Sequence, residues 1–147
     1  MDQVVRLATG AIVTPLRRIP NPKGDVYHGL KASEDSFKGF GEAYFSTVLP
    51  GVTKGWKRHN LMTLNLVVPV GTIEFHLRSN DGQLADRVRL GDERYARLTV
   101  PPGVWMAFSG IGDSLNLLLN VASIPHDPDE AVNVPLEHFP LQSPTQE

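Results

Sequence analysis

The sequence predicts an all-β fold, and two features of its residue pattern support that prediction. Its 13 glycines and 12 prolines interrupt the chain repeatedly from end to end. The segments between them are short and rich in Val, Leu, Ile and Phe. Short apolar segments separated by turn-forming residues are typical of β-sandwiches and β-barrels.

Successive strands are predicted along the middle of the chain. The clearest covers 73–77, where Ile73, Phe75 and Leu77 alternate with Glu74 and His76, as expected for a strand with one buried face. The predicted strands cover residues 42–49, 52–59, 61–70, 73–77, 87–90, 96–100, 104–109 and 114–122. Residues 17–26 are predicted to form a loop, and short helices are considered at 34–38 and 129–132.

The chain is expected to form one domain, because its 147 residues are enough to bury a substantial core. Within domain 1–147 we place the barrel core at about 25–130 and a proline-rich tail at 131–147. The last residues, 142–147, are expected to fray. Apolar residues are 41% of the chain and charged residues 20%, which is an ordinary globular balance.

The charge balance and composition narrow the range of partners. A net charge of −2 gives no general attraction to nucleic acid or to an anionic membrane. No stretch has the roughly 18 uninterrupted apolar residues that a membrane span needs. The absence of cysteine excludes disulfides and thiolate chemistry. Since no signal-type apolar segment is seen near Met1, we expect a cytoplasmic protein.

Two stretches combine glycines and strand residues at fixed spacings. The first runs Gly51, five residues, Lys57-Arg58-His59, four residues, Leu64, six residues and Gly71. The second is Pro101-Pro-Gly-Val-Trp-Met106. Both spacings resemble those of the two metal-binding motifs of the cupin superfamily. The resemblance implies a double-stranded β-helix, the jelly-roll cupin barrel.

The metal-ligand positions of that pattern hold Lys57, His59, Leu64 and Met106. Lys57 and His59 are two residues apart on a predicted strand, so both should face the barrel interior. One imidazole, one ammonium and two apolar groups cannot hold a divalent ion, which needs three or more nitrogen, oxygen or sulfur donors. We therefore predict a pocket that uses neither a metal nor another cofactor.

Residues 25–130 resemble the dTDP-4-dehydrorhamnose 3,5-epimerase family, the metal-free cupins that act on sugar nucleotides. The resemblance is carried by Gly51-Val-Thr-Lys-Gly-Trp-Lys57, Val100-Pro-Pro-Gly-Val-Trp-Met-Ala-Phe108 and Asn120-Val-Ala-Ser-Ile-Pro-His-Asp-Pro-Asp-Glu130. An epimerase-like branch with Lys-Gly-Trp-His-x-His and Met-Thr-x-Asn is more similar still. The corresponding stretches here are Lys54-Gly-Trp-Lys-Arg-His59 and Met62-Thr-Leu-Asn65. The resemblance also implies a homodimer.

The acid–base residues of that family match this chain only in part. The resemblance places the family's general base, a His, at Lys57, and its general acid, a Tyr, within 117–120, which contains no Tyr. Epimerisation beside a ketone needs a base to remove a proton and an acid to return one. We therefore predict His59 with Lys57 as the proton-transfer pair. Tyr44, on the preceding predicted strand, is a candidate replacement for the missing phenol.

Candidate substrate-binding residues come partly from the same resemblance. An Arg that grips the nucleotide phosphates in the family matches Lys54, and a second Arg near the start of the domain matches His28. Arginine binds phosphate with two parallel hydrogen bonds, and lysine replaces only its charge. Arg58 is a further positive group for a diphosphate, or part of a charged rim.

Two amides and an indole complete the candidate binding residues. Asn65 and Asn120 lie on predicted strands, where an amide suggests a polar partner inside the barrel or at its rim. An active-site Lys of the family also falls near Asn65. Trp105 is a candidate for stacking on a ligand, although packing is the more common role for residues such as Trp56 and Trp105.

Several of these residues have a structural interpretation as well. Lys57 serves as a base only if burial disfavours its ammonium form, and otherwise forms a salt bridge or binds phosphate. His59 acts as base, acid or hydrogen-bonding group, or has a purely structural role. Glu42 and Glu74 are predicted to be solvated or paired, and His76 is predicted to lie at the surface.

The leading hypothesis is a dTDP-4-dehydrorhamnose 3,5-epimerase-like protein that acts on a nucleotide-linked 4-keto-deoxysugar. The pathway would be polysaccharide or secondary-metabolite biosynthesis. The alternative is a non-catalytic cupin that binds a sugar nucleotide or another small ligand and has lost the acid–base pair. A metal-dependent cupin enzyme is a third possibility, against which the ligand positions argue. Whether the chain is an enzyme stays open at this level.

Overall fold

The regular secondary structure of the fold consists almost entirely of β-strands. The computed structural model describes residues 3–141. Its strands in that range are β1 (Val5–Arg6), β2 (Ile12–Pro15), β3 (Arg18–Ile19), β4 (Val26–Tyr27), β5 (Glu42–Thr47), β6 (Thr53–His59), β7 (Leu64–Val70), β8 (Thr72–Arg78), β9 (Ala85–Gly91), β10 (Ala96–Val100), β11 (Trp105–Gly110), β12 (Leu117–Ala122) and β13 (Ala131–Asn133). The predicted fraying of 142–147 concerns residues outside the described range.

The strands form two facing sheets and one short hairpin. The six-stranded sheet has the order β1-β2-β10-β7-β12-β5, the five-stranded sheet β13-β6-β11-β8-β9, and β3 pairs with β4. All of these strand pairs are antiparallel. From β6 to β12 the chain passes back and forth between the two large sheets. This is the connectivity of a jelly-roll barrel, and the predicted all-β fold class is confirmed.

Each strand predicted between 42 and 122 is present, with shifted ends. Strand β7 begins at Leu64 rather than at residue 61, and β12 begins at Leu117 rather than at 114. Segment 17–26, predicted as a loop, contains parts of the β3–β4 hairpin. β1, β2 and β13 were not predicted, because they are two to four residues long and end near prolines or polar residues.

The predicted helices do not form. Residues 34–36 make a bend and a turn, 37–38 have no regular structure, and Pro128–Glu130 makes a single 3-10 turn that leads into β13. A second 3-10 turn covers Leu136–His138. Within residues 3–141 no helix is long and apolar enough to cross a membrane.

The core lies between the two large sheets. Ile73 and Phe75 are fully buried and Leu77 is nearly so, as predicted for one face of 73–77. The other face is not exposed, since Glu74 and His76 are buried as well. The three apolar side chains of β8 pack against apolar residues of β7 and β10, including Leu66 and Leu98. The inward faces of both sheets therefore build one apolar interior.

The prediction that His76 lies at the surface is wrong. His76 is on the outer face of the five-stranded sheet but is only 4% exposed. Its Nε2 lies 3.3 Å from Ser109 Oγ. Burial lowers the pKa of His76, and Arg87 adds to this effect while Glu74 opposes it. Glu74 is paired, as one of its two interpretations predicted, and accepts hydrogen bonds from Arg89 at 2.9 and 3.2 Å.

Strand β13 and the chain after it cover another part of that outer face. Val132, Val134, Leu136 and Phe139 pack there on the residues Trp56, Trp105 and Ala107. Trp56 donates its indole hydrogen to the carbonyl oxygens of Leu136 at 3.1 Å and Phe139 at 3.2 Å. Both tryptophans therefore serve to pack the C-terminal chain onto the sheet.

A buried arginine holds the segment before β5 against the outer face of the six-stranded sheet. Arg97 has no exposed surface. Its guanidinium donates to Gly29 O at 2.7 Å, to Glu34 Oε2 at 2.8 Å and to Ser36 Oγ at 2.8 Å. Because a charge is stable inside a protein only when it is paired and hydrogen-bonded, these contacts fix residues 29–36 in place.

Candidate active site

A cavity of about 270 Å³ opens between the two large sheets. The six-stranded sheet contributes residues of β5, β7 and β12, namely Tyr44, Ser46, Leu64, Leu66, Leu118 and Asn120. The five-stranded sheet contributes residues of β6, β11 and β13, namely Lys54, Gly55, Lys57, His59, Met106, Phe108 and Asn133. Apolar and polar side chains share this lining, and the polar groups among them determine what the cavity can bind.

The residues at the four cupin metal-ligand positions meet in this cavity. Lys57 and His59 line it from β6, Leu64 from β7 and Met106 from β11. Alternation along each strand turns these side chains inward, as the spacing predicts. Within residues 3–141 no group of three or more His, Cys, Asp or Glu side chains is arranged to hold a metal ion.

Two glycines allow close contacts between neighbouring segments of the barrel. Gly71 has φ +81° in the turn between β7 and β8, and a side chain there would overlap the Leu115 carbonyl oxygen. Gly55 in β6 lies against Ala107 of β11, with no room for a Cβ atom. Only glycine fits both the backbone angle and the contact at these positions.

His59 forms a hydrogen bond with the buried carboxylate of Glu130. Its Nδ1 hydrogen-bonds to Glu130 Oε1, and the two side chains are 14% and 3% exposed. An ionised carboxylate can only accept, so Nδ1 carries the hydrogen and Nε2 is the basic nitrogen of the neutral ring. This pairing fixes the tautomer and the orientation of His59, the arrangement required of a general base.

The same carboxylate is fixed by the backbone that follows β6. Glu130 Oε2 accepts hydrogen bonds from the backbone nitrogens of Asn60, Leu61 and Met62 at 3.1, 2.9 and 3.2 Å. Burial raises the pKa of Glu130, but the hydrogen bonds from His59, Leu61 and Met62 outweigh it, so the pKa lies below its usual value. Glu130 is therefore ionised near neutral pH.

This environment of Glu130 predicts an acid-sensitive contribution to stability. Because the pKa is lower in the folded chain than in the unfolded one, the stabilisation is complete above about pH 4.5 and is lost as pH falls through the folded pKa. Glu130→Gln should cost about 1–3 kcal/mol at pH 7. The difference in Tm between wild type and Glu130→Gln should shrink below pH 4. Parallel melting curves at every pH would contradict this.

Tyr44 and Asn120 form the opposite wall. They face each other across the β5–β12 pair, and Asn120 Nδ2 donates to the Tyr44 hydroxyl at 2.9 Å. Asn120 is buried at 4% exposure, whereas Tyr44 is 46% exposed. The family's phenol is missing from β12, and a phenol from the neighbouring strand lies beside that position instead.

Lysines line one side of the cavity mouth. Lys54 is exposed, donates to Thr47 O at 2.7 Å and lies 6.0 Å from the centre of the Phe108 ring. Lys57 is also exposed, so it lacks the burial that a lysine needs to act as a base. Two ammonium groups on one side of this cavity suit an anionic ligand group.

Several predicted site residues lie elsewhere. Arg58 and Trp105 are on the outer face, where the guanidinium stacks 4.9 Å above the indole and donates to Asn80 Oδ1 at 3.0 Å. Asn65 points to the outer face of its sheet, where it donates to Ser36 O at 3.0 Å. Strand alternation explains all three, since each is next to a residue that faces inward.

His28 is not among the residues that line the cavity. It follows the β3–β4 hairpin, and its carbonyl oxygen accepts a hydrogen bond from the Tyr95 hydroxyl at 2.6 Å. The contact that the resemblance assigned to position 28 is therefore not made within this chain's own cavity.

Three polar residues of the site were not predicted from the sequence. Glu130 ends the family-like stretch 120–130, and its Pro-x-x-Glu pattern is the signal that could have identified it as a site residue. Ser46 lies two residues after Tyr44 on β5, so alternation places both on the cavity wall. Asn133 belongs to β13, a strand that was not predicted.

The known proteins that this chain resembles are sugar isomerases and epimerases. No family model matches the chain. The dTDP sugar isomerase of Desulfovibrio desulfuricans G20 is 37% identical, with 97% of this chain and 94% of that one covered and a TM-score of 0.85. QdtA, a sugar 3,4-ketoisomerase of Thermoanaerobacterium thermosaccharolyticum solved with TDP, is 18% identical, with 86% and 89% covered and a TM-score of 0.74.

A curated sequence relative is the probable low-salt glycan biosynthesis epimerase Agl13 of Haloferax volcanii. It is 30% identical over 98 residues, which are 60% of this chain and 62% of that protein. The match therefore spans less than two thirds of this relative. The likeness to QdtA, at its low identity, concerns the fold alone.

Proposed function

The chain belongs to the family of dTDP-sugar isomerases and epimerases with the cupin fold, and from this premise we propose that it rearranges a nucleotide-linked 4-keto-deoxysugar. The observation that carries the proposal is the His59–Glu130 pair, of which His59 lines the cavity, with Tyr44 on the opposite wall. Polysaccharide or secondary-metabolite biosynthesis is the setting in which such a reaction is used.

The first chemical step follows from the position of His59. Its Nε2 takes the proton from a ring carbon next to the ketone, and the electron pair left on carbon moves into an enolate. Glu130 stabilises the imidazolium that forms, as a carboxylate does behind a catalytic histidine. Return of a proton to the other face gives an epimer, and Tyr44 is the proposed donor because it comes from the opposite sheet.

The enolate needs a positive group near it, and Lys57 is the proposed one. It lies two residues from His59 on the same face of β6, while Leu64 and Met106 of the neighbouring wall are apolar. Lys57→Met is expected to lower kcat about 10²-fold with little change in KM. Lys57→Arg should keep part of the activity. A large rise in KM at unchanged kcat would instead assign Lys57 to phosphate binding.

Lys54 is proposed to bind the nucleotide diphosphate at the cavity mouth. Its exposure leaves room for a ligand outside the barrel, and a lysine binds phosphate as a point charge. The cavity is smaller than a typical pocket for a drug-sized ligand, so it suits one sugar ring with the nucleotide outside.

Homodimer formation and a cytoplasmic location stay proposals. The free edge of β5 supports the first, because Phe45 on this edge strand is 64% exposed and such edges tend to pair with another chain. Light scattering of the purified chain checks the dimer. The lack of cysteine is compatible with a reducing compartment.

The decisive experiment is hydrogen exchange in heavy water. Incubation with TDP-4-keto-6-deoxyglucose should replace ring hydrogens next to the ketone with deuterium and should yield a rearranged sugar. NMR measures both changes. Thermal stabilisation by the ligand without any exchange would reject the enzyme and support the non-catalytic binding cupin.

A further inference from the structure

The inward-facing amide of β12 differs from the other buried amides of the described chain. Asn116 Nδ2 donates to Gly112 O at 3.0 Å, and its Oδ1 accepts from Thr72 N at 3.0 Å. Asn65 likewise donates from Nδ2, and its Oδ1 accepts from Thr99 Oγ1 at 2.6 Å. Both residues lie outside the cavity and use both ends of the amide.

Asn120 uses only one end. Its Nδ2 donates to the Tyr44 hydroxyl, but its buried Oδ1 has no hydrogen-bond partner within residues 3–141. Leaving a buried acceptor unpaired costs stability, so such groups are rare unless a ligand completes them. Asn120 is among the residues that line the cavity, so a ligand bound there is the candidate partner for this oxygen.

We propose that Asn120 is a specificity-determining residue that accepts a hydrogen bond from a hydroxyl group of the sugar ring. The proposal rests on the proposed function, because it assumes that the sugar enters the cavity. An acceptor selects a donor, and the donors of a neutral deoxysugar ring are its hydroxyl groups. The chain then favours sugar nucleotides that keep this hydroxyl.

The other end of the same amide couples recognition to the proton donor. The bond from Nδ2 occupies a lone pair of the Tyr44 oxygen, so the phenol hydrogen is free to point toward the ligand. Because Asn120 and Tyr44 are directly opposite in the β12–β5 register, a hydroxyl held by Asn120 brings the ring next to that phenol. Asn120 is thus a positioning residue for Tyr44 as well.

The test compares deuterium exchange of TDP-4-keto-6-deoxyglucose with that of its 2-deoxy and 3-deoxy counterparts. Exchange depends on His59, so it can be measured whatever happens to Tyr44. The wild type should prefer the full substrate over one deoxy compound by at least about 10-fold in kcat/KM. Asn120→Leu should bring that ratio to within about 2-fold of unity by slowing only the hydroxylated substrate.

Two further variants separate recognition from damage to the fold. Asn120→Asp keeps an acceptor oxygen and should keep the preference. Asn65→Leu removes a buried amide outside the cavity and should leave the ratio at its wild-type value, even if stability falls.

The proposal is overturned if Asn120→Leu slows all three substrates by the same factor, or if the wild type does not discriminate among them. The second result needs no variant, so it stands even if Asn120→Leu does not fold. Absence of exchange in the wild type would reject the proposed function itself. Wild-type exchange without discrimination would reject only the role of Asn120.

Discussion

Replacing His59 with Asn is expected to lower the rate of deuterium exchange into a 4-keto sugar nucleotide by about 10³-fold, the effect of removing a general base. An Asn amide can still donate to Glu130, so the buried carboxylate keeps a partner and the fold should survive. The exchange rate is measured by NMR in heavy water, with ligand binding measured separately by calorimetry.

The control for this variant is His126→Asn, the same chemical change at an exposed position. It should exchange at the wild-type rate. If His59→Asn is folded, binds the sugar nucleotide and still exchanges within about 10-fold of wild type, the base is another residue.

Replacing Glu34 with Ala is expected to give the largest loss of stability. It leaves the guanidinium of Arg97 buried with no opposite charge, although Gly29 O and Ser36 Oγ still accept from it. Removing one partner of a buried ion pair costs several kcal/mol. Because the Glu34 side chain is 30% exposed, we expect about 2–3 kcal/mol. In thermal unfolding this corresponds to a fall in Tm of roughly 5–10 °C.

Two controls identify the unpaired charge as the cause. Asp35→Ala removes a neighbouring exposed carboxylate and should change stability by less than about 0.5 kcal/mol. Adding Arg97→Met to Glu34→Ala should recover part of the loss, because no charge then remains buried. A double variant less stable than Glu34→Ala would mean that the guanidinium's other hydrogen bonds matter more than its charge.

The same ion pair predicts acid sensitivity. Burial raises the pKa of Glu34. The hydrogen bonds from Arg97 and from the Lys31 backbone lower this pKa by more than burial raises it, so the net shift is downward. Stability from this carboxylate is therefore complete above about pH 4.5 and lost as pH falls below it. Glu34 and Glu130 act in the same direction at opposite sides of the barrel.

The spacing of residues within short segments was enough to predict the barrel. It also predicted that four side chains meet inside it. Strand alternation and the glycine turns determine that Lys57, His59, Leu64 and Met106 face inward, and both signals lie within short segments. Alternation also explains the errors. Asn65 is next to an inward residue, so the period of two already placed it outside.

The partner of His59 could not be predicted in this way. Glu130 is 71 positions away in the sequence and reaches His59 through β13, a three-residue strand with no apolar pattern of its own. Contacts across such distances depend on the whole fold rather than on a local signal. The Asn120–Tyr44 contact likewise depends on the β5–β12 register, which turns and long connections determine.

The central claim is that the sugar ring lies between His59 and Tyr44 in the cavity, and a crystal structure tests it most directly. The His59→Asn variant, which should bind without turnover, would be crystallised with TDP-4-keto-6-deoxyglucose. We expect a ring carbon next to the ketone within about 4 Å of the residue 59 side chain, with a ring hydroxyl on Asn120 Oδ1. A sugar bound outside the cavity, with the nucleotide or nothing inside it, would show that His59 and Tyr44 do not enclose the reacting ring.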